Sequence, residues 1–361
     1  MSALVALAER LISYDTSRPE AIHEAAGFVK GWLEAREIEA GQDEVRGLPV
    51  TYAEVGPSDA PTVVLHGHLD VVPGHQNQFE PRVEGDRLYG RGALDMKGAL
   101  AAMLATFAGM REQDAVRVRL GIVADEESEE EQDRGSDHLV EIGFLGDFAI
   151  TGEPTDLHIG VEAKGVLAMR LDVRGRAAHG ATPWLGDNAV LKALDVFRRI
   201  ESLPFARESS ELFDRPSINL GRIWGGDALN KVPDRCVIDV DIRYLPEQDP
   251  KDVLAQVGDV PDCEIITTFS RPPAIVDRDS IFVQTLREAT AMHHDHEPTS
   301  VGRDGASDAV SFLRAGVPAV EFGPVGRGHH GPEEWVSVAS LDAYRHSLEA
   351  FLRALPGRLG G

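Results

Sequence analysis

Two kinds of apolar segment alternate along this chain, and their pattern constrains the fold more than any other feature. The first kind is mostly apolar and short enough for strands, at 61–66 (PTVVLH), 116–124 (VRVRLGIVA) and 147–151 (DFAIT). The segment 99–110 (ALAAMLATFAGM) is rich in Ala, Leu and Met, so we predict a buried helix there. Strand, helix and strand at this spacing indicate a mostly parallel sheet with helices on its faces. We therefore predict an α/β core.

The second kind of segment alternates apolar with polar residues. It occurs at 167–173 and at 236–244, so each of these strands has one side that faces solvent. Strands of this kind with amphipathic helices between them predict a small α+β domain inserted into the α/β fold. The predicted inserted domain covers 165–273, and the α/β domain is formed by 1–164 and 274–361.

Charge and composition exclude several classes of partner. The chain has 60 Asp and Glu against 36 Lys and Arg, a net charge of −24, and no basic stretch that could neutralise phosphates. We therefore expect no nucleic-acid partner and no anionic membrane surface. No apolar run approaches the roughly 20 residues that span a bilayer, and Glu9 and Arg10 within the first apolar segment indicate an amphipathic helix rather than a signal peptide. With only two cysteines, in no paired spacing, we expect a cytoplasmic protein.

Polar side chains follow the apolar strands at the points where these strands end. His68 and Asp70 follow the first strand, Glu126 and Glu127 the second, and Glu153 the third. Open α/β sheets bind ligands outside the carboxyl ends of their strands, so we expect these side chains to converge.

Two further candidates extend this set. Asp95 lies in the Gly-rich turn 89–98, and His330 follows the apolar run 319–322. Imidazole and carboxylate groups suit Zn²⁺, and more than four ligands with one shared carboxylate suit two ions about 3.5 to 4 Å apart. Each piece alone also has a simpler interpretation. The His-x-Asp could be a surface turn, and the acidic run 125–133 a solvated loop or helix start.

Five segments together identify a family. They are GHLDVVP (67–73), GRGALDMKG (90–98), ADEE (124–127), GEPT (152–155) and HHGPEE (329–334). In this order they closely resemble the two-zinc amidohydrolase family of acetylornithine deacetylase, succinyl-diaminopimelate desuccinylase, carboxypeptidase G and aminoacylase. The resemblance covers nearly the whole chain. It implies a zinc-hydrolase catalytic domain interrupted by a lid domain, through which two chains form a homodimer.

The resemblance also implies the metal ligands. One zinc would be bound by His68 and Glu153 and the other by Glu127 and His330, with Asp95 bridging both, and cobalt could substitute for zinc. A cis peptide is implied after Asp95. Because the family places its ligand immediately before a residue followed by Pro, the resemblance selects His330 over the adjacent histidine.

Catalytic and substrate-binding roles are implied in the same way. Asp70 would orient His68, and Glu126 would be the general base. From the lid, His179 would reach across a dimer to the partner's active site, and Asn230 and Arg243 would contact substrate. The simpler interpretations are a capped turn for His179 and an ordinary charge on the solvent face of a strand for Arg243.

Within the family, the sequence favours deacylation of an N-acyl amino acid, of the acetylornithine deacetylase or succinyl-diaminopimelate desuccinylase type in amino-acid biosynthesis. The family's aminopeptidases tend to have Asp at the position of Glu153. The segment 302–309 (GRDGASDA) departs from the Gly-Gly-Thr-Ser-Asp pattern of the desuccinylases, and its Arg303 is a candidate to bind a second carboxylate or polar group, or else a surface partner of Asp304. The alternatives are a metallo-carboxypeptidase or dipeptidase, or release of lysine or ornithine from a carrier protein. A non-catalytic descendant is disfavoured because every ligand position is filled.

Overall fold

The structure is a computed structural model that describes residues 2–127, 134–294, 296–305 and 307–360. It divides into two compact units. The larger unit comprises Met1–Val161, Val276–Val301 and Asp308–Gly361, and the smaller unit comprises Glu162–Ile275 and Gly302–Ser307.

The helices of the described residues fall in both units. They are α1 (Ala3–Ile12), α2 (Pro19–Glu34), α3 (Gly98–Gly109), α4 (Gly135–Glu141), α5 (Ala189–Glu201), α6 (Pro250–Gly258), α7 (Ile281–Ala291), α8 (Ala309–Arg314) and α9 (Val338–Leu359). None of the helices in the described part of the chain combines the length and the hydropathy that crossing a membrane requires.

The strands in the described part of the chain form three sheets. They are β1 (Ala40–Val45), β2 (Leu48–Val55), β3 (Thr62–His68), β4 (Arg82–Glu84), β5 (Arg87–Tyr89), β6 (Arg117–Val123), β7 (Phe148–Thr151), β8 (Ile159–Ala163), β9 (Gly165–Arg174), β10 (Ser217–Gly225), β11 (Arg235–Tyr244), β12 (Cys263–Arg271), β13 (Ala274–Ile275), β14 (Ser300–Arg303), β15 (Ala319–Glu321), β16 (Gly326–Arg327) and β17 (Trp335–Ser337).

Over the residues that the structure describes, the main sheet has nine strands, and its first six follow the order β1-β2-β6-β3-β7-β15, after which come β8 and β13, with β14 paired to β8. Its centre is parallel, because β3 pairs in parallel with both β6 and β7, and β15 pairs in parallel with β7. Helix α3 packs against α1 and α9 and against the sheet. Its Leu100, Leu104 and Phe107 are fully buried, and burial of each such side chain contributes about 1.5 to 3 kcal/mol. The predicted α/β class with a mostly parallel sheet is confirmed.

A small antiparallel sheet in the larger unit, β16-β17-β5-β4, joins two distant parts of the chain. Strand β17 pairs with β5, with Trp335 opposite Tyr89. The residues that precede β17 therefore lie beside the residues that follow β5, and both segments carry candidate site residues.

The smaller unit contains an antiparallel sheet of order β10-β11-β9-β12. The apolar residues of β9 and β11 form one buried face together with α5 and α6, as their alternation indicates. The short segment Gly302–Ser307 also belongs to this unit, since Lys164 donates its backbone N–H to the Arg303 carbonyl (3.1 Å) and its Nζ pairs with Asp304 Oδ1 (2.7 Å). The domain boundaries predicted from the sequence had assigned this segment to the α/β domain, so the structure differs from the prediction here.

Candidate active site

Three neighbouring parallel strands end at the same edge of the main sheet. The register aligns His68 of β3 with Val123 of β6, and His66 of β3 with Thr151 of β7. The segments that follow these strands therefore begin at one edge of the sheet, as strand polarity predicts. His68 is the last residue of β3, and these segments carry the side chains of Glu126, Glu127 and Glu153.

Asp95 reaches this edge from the turn that follows β5. Gly92 has a φ of +80°, which glycine adopts without the steric cost that a Cβ brings, and it begins the tight turn Ala93–Lys97. The peptide bond between Asp95 and Met96 is cis, as the family resemblance implied. The Asp95 side chain is buried, and each of its two carboxylate oxygens faces a different group of potential ligands.

The first group consists of buried side chains. His68 Nε2 lies 3.1 Å from Asp95 Oδ1 and 3.5 Å from Glu153 Oε1. The ligand atoms of these three residues lie within 4.8 Å of one another, close enough to bind one ion.

The second group lies on the other side of the Asp95 carboxylate. His330 Nε2 is 3.3 Å from Asp95 Oδ2 and 3.2 Å from Glu127 Oε2. The adjacent His329 hydrogen-bonds to the same Asp95 oxygen through its Nε2. Both histidines are thus within reach of an ion at this position, and the sequence-based choice of His330 stays a prediction.

Asp70 contacts one residue of each group, His68 in the first and Glu127 in the second. Its carbonyl oxygen and its Oδ1 lie 2.9 Å and 3.4 Å from His68 Nδ1, and its Oδ2 accepts the Glu127 backbone N–H at 2.9 Å. A histidine bound in this way at Nδ1 presents Nε2 to a metal.

The buried carboxyl groups of the site shift one another's pKa values in a way that favours cation binding. Burial alone would raise the pKa of Asp95, but hydrogen bonds from His329, His330 and His68 hold it well below its ordinary value. Burial and the Asp95 charge raise the pKa of Glu153 to about 7. Burial and the Glu153 charge raise the pKa of Glu126 well above its ordinary range. The carboxylates therefore repel one another, and divalent cations between them would relieve this repulsion.

The donor set fits such cations. Glu127 Oε1 is buried and has no hydrogen-bond partner among the described residues. Carboxylate oxygens and imidazole nitrogens are ligands that zinc prefers, and one of the carboxylates lies between two groups of donors.

Arg134 holds the backbone of Glu126, a role the sequence analysis missed. Arg134 Nη1 donates to the Glu126 carbonyl at 3.0 Å and lies 3.3 Å from Asp308 Oδ1, with both charged side chains buried. An arginine at the end of the acidic run 125–133 was the available signal, but its partner Asp308 is far away in sequence. Of that run, 128–133 lie outside the described residues.

The remaining candidates lie in the smaller unit. His179 is exposed, its Nδ1 accepts the Ala181 backbone N–H at 3.0 Å, and the next residue, Gly180, donates to the Asn230 carbonyl at 2.7 Å. The His179 and Asn230 segments are therefore adjacent. Arg243 is half-buried on β11, and its Nε pairs with Asp241 Oδ2 at 3.0 Å. Arg303 is half-buried at the end of β14.

Comparison with known proteins identifies the family. Residues 64–354 match the description "Peptidase family M20/M25/M40". The chain belongs to this family. It is a metal-dependent amidohydrolase, so the predicted enzyme class is confirmed.

Curated relatives match this chain over most of its length. It is 28% identical to a succinyl-diaminopimelate desuccinylase of Erythrobacter litoralis, over 95% of this chain and 96% of the relative. It is 31% identical to a succinyl-diaminopimelate desuccinylase of Gluconobacter oxydans, over 88% and 91%.

Solved structures share the fold at lower identity. An M20 family metallo-carboxypeptidase from Sulfolobus solfataricus superposes with a TM-score of 0.83 at 21% identity, over 99% of this chain and 100% of the other. A tripeptidase from Staphylococcus aureus has a TM-score of 0.82 at 20% identity, over 98% of both chains.

Proposed function

We propose that this M20 chain hydrolyses the amide bond of an N-acyl amino acid, as an acetylornithine deacetylase or succinyl-diaminopimelate desuccinylase of lysine or arginine biosynthesis in the cytoplasm. The observation that carries this proposal is the pair of donor groups that share Asp95. The names of the two relatives, at 28% and 31% identity, support the acyl amino acid as substrate. A glutamate at position 153 also fits a deacylase.

Two zinc ions would be held by the side chains that surround Asp95. His68 and Glu153 would bind one, Glu127 and His330 the other, and Asp95 would bridge them. When bound, such ions lower the pKa of water toward about 7 and polarise an amide carbonyl.

The protein's own groups would move the proton and position the substrate. Glu126 would take a proton from the attacking water as the new C–O bond forms. It would then deliver that proton to the nitrogen of the leaving amine as the C–N bond breaks. Arg134 fixes the backbone of Glu126, and Asp70 fixes the ring of His68. The guanidinium of Arg243, oriented by Asp241, suits the carboxylate of the amino-acid part, and Asn230 offers a neutral hydrogen-bonding group.

A substrate panel tests the proposed reaction. Zinc-loaded protein is assayed with N-succinyl-diaminopimelate, N-acetylornithine, N-acetyl-lysine and a set of dipeptides. We expect an N-acyl amino acid to give the highest kcat/KM. Faster cleavage of dipeptides would make the chain a peptidase, and turnover only of a carrier-linked lysine or ornithine would move the reaction to a protein substrate.

Arg303 is expected to select the acyl group. Replacing it by Ala removes a cation that would bind the distal carboxylate of a succinyl group, and a hydrogen bond to a charged group contributes about 1.5 to 3 kcal/mol. The ratio of succinyl to acetyl kcat/KM should therefore fall by about 10-fold or more. Arg314→Ala, at an exposed arginine of α8, is the control. An unchanged ratio in Arg303→Ala would remove Arg303 from the substrate site.

A homodimer formed through the smaller unit is part of the proposal. Strand β10 lies at the edge of its sheet, and Trp224 on this strand is 48% exposed. Nearby turns expose Trp184 (74%) and Leu229, which is fully exposed. An exposed edge strand flanked by apolar side chains favours pairing with a second copy.

His179 is proposed to act in the active site of the second copy, where it would donate a hydrogen bond to the substrate carbonyl. Coexpression of His179→Ala with Glu126→Gln, each inactive alone, tests this. In a mixed dimer one site regains both groups, so random pairing should restore about a quarter of wild-type activity. A mixture as inactive as its components would place His179 outside the partner's site.

A further inference from the structure

The carboxylate of Glu334 is buried and binds the backbone that carries Asp95. Its Oε1 accepts the N–H groups of Leu94 (2.9 Å) and Asp95 (3.1 Å). Its Oε2 accepts the N–H of Gly92 at 3.0 Å and pairs with Arg91 Nη1 at 2.7 Å. One side chain thus receives four hydrogen bonds from residues 91–95, the segment that leads to the Asp95 carboxylate.

Arg91 extends this contact to the second half of the site. It is buried, and its Nη2 donates to the carbonyl oxygen of His330 at 3.0 Å. The backbone N–H of Gly90 also donates to the Glu334 carbonyl at 3.1 Å. The Arg91–Glu334 ion pair therefore connects the Asp95 turn with the His330 loop, and neither member is among the side chains that surround the ligand positions.

We propose that Glu334 and Arg91 form one positioning unit that sets the Asp95 carboxylate and the His330 ring together, so that both metal ions depend on it. This inference rests on the metal ligands of the proposed function. Groups behind the ligands of a metal site typically change its affinity by about 10- to 100-fold when they are replaced.

The replacement Glu334→Gln is expected to disrupt the unit although it preserves the shape of the side chain. Both carboxylate oxygens accept hydrogen bonds, and a glutamine amide has only one accepting oxygen. In either orientation its NH₂ group faces donors, either the N–H groups of Leu94 and Asp95 or those of Gly92 and Arg91. At least two buried hydrogen bonds are lost, and the turn moves away from its position.

The experiment compares Glu334→Gln with Glu333→Gln, the same chemical change one residue away. The Glu333 side chain is 73% exposed and pairs with Arg82 at the surface. Metal-free proteins are titrated with Zn²⁺ by calorimetry, and Co²⁺ complexes are compared by visible absorption, which reports ligand geometry. We expect Glu334→Gln to bind both ions about 10- to 100-fold more weakly, with an altered Co²⁺ spectrum, and Glu333→Gln to match the wild type.

Thermal unfolding of the metal-free proteins separates positioning from folding. If metal-free Glu334→Gln does not fold, Arg91→Met provides the same test, because it removes the bond to the His330 carbonyl and leaves the backbone bonds of Glu334. Wild-type affinity and spectrum in these variants, or an equal loss in Glu333→Gln, would overturn the inference. A wild-type protein that binds no metal ion would overturn the proposed ligands themselves, and the inference with them.

Discussion

Glu126→Gln is expected to retain both metal ions and to lose nearly all turnover. Glutamine has almost the volume of glutamate but cannot accept a proton from the attacking water. General base catalysis typically contributes about 100- to 10,000-fold, so kcat should fall within this range while KM changes little. Metal content is measured on the same sample that is assayed.

The control for this variant is Glu141→Gln, at an exposed glutamate of α4 outside the site. We expect wild-type kcat for it. Near-normal kcat in Glu126→Gln would exclude Glu126 as the base. Loss of metal from Glu126→Gln would assign it a ligand role instead.

Asp95→Asn is expected to weaken both metal ions at once. The two carboxylate oxygens of Asp95 face different donor groups, with His68 on one side and His330 on the other. An asparagine offers one oxygen and one NH₂ group, so it cannot bridge two cations. Because the ions are worth several kcal/mol of transition-state stabilisation, turnover should fall on the order of 1000-fold.

Glu153→Gln is the informative comparison, because Glu153 lies beside His68 in only one donor group. Metal analysis after dialysis should find that Asp95→Asn has lost both ions, and that Glu153→Gln has preferentially lost one. Asp95→Asn protein that still holds two ions would show that Asp95 does not bridge them. Unfolding measurements on the metal-free variants show whether the fold is retained.

The elements that bring the site together were predictable because they follow from strand polarity. Parallel strands β3, β6 and β7 end at one edge, so polar residues after each strand had to lie close together. The turn that carries Asp95 was predicted from its glycines, whereas the cis peptide after Asp95 was implied only by the family resemblance. The pairing of Arg243 with Asp241 could also have been found, since residues two apart on a strand share a face.

The long-range polar contacts could not be predicted from one sequence. Arg91 finds Glu334, and Arg134 finds Asp308, across long stretches of chain, and no local pattern marks such partners. The assignment of 302–307 to the smaller unit was equally unpredictable. This segment belongs with the smaller unit because of its bonds to Lys164, whereas its position in the sequence pointed to the α/β domain.

The position of β15 has a consequence for the order in which the chain folds. Strand β7 ends at Thr151, but its parallel neighbour β15 begins only at Ala319. During synthesis, one edge of β7 therefore lacks its neighbouring strand until the residues of the smaller unit have been made. The antiparallel pairs of β9 with β11 and β12 close within the smaller unit's own continuous segment. We therefore expect nascent chains that end before residue 319 to contain a protease-resistant smaller unit and an unfinished larger one.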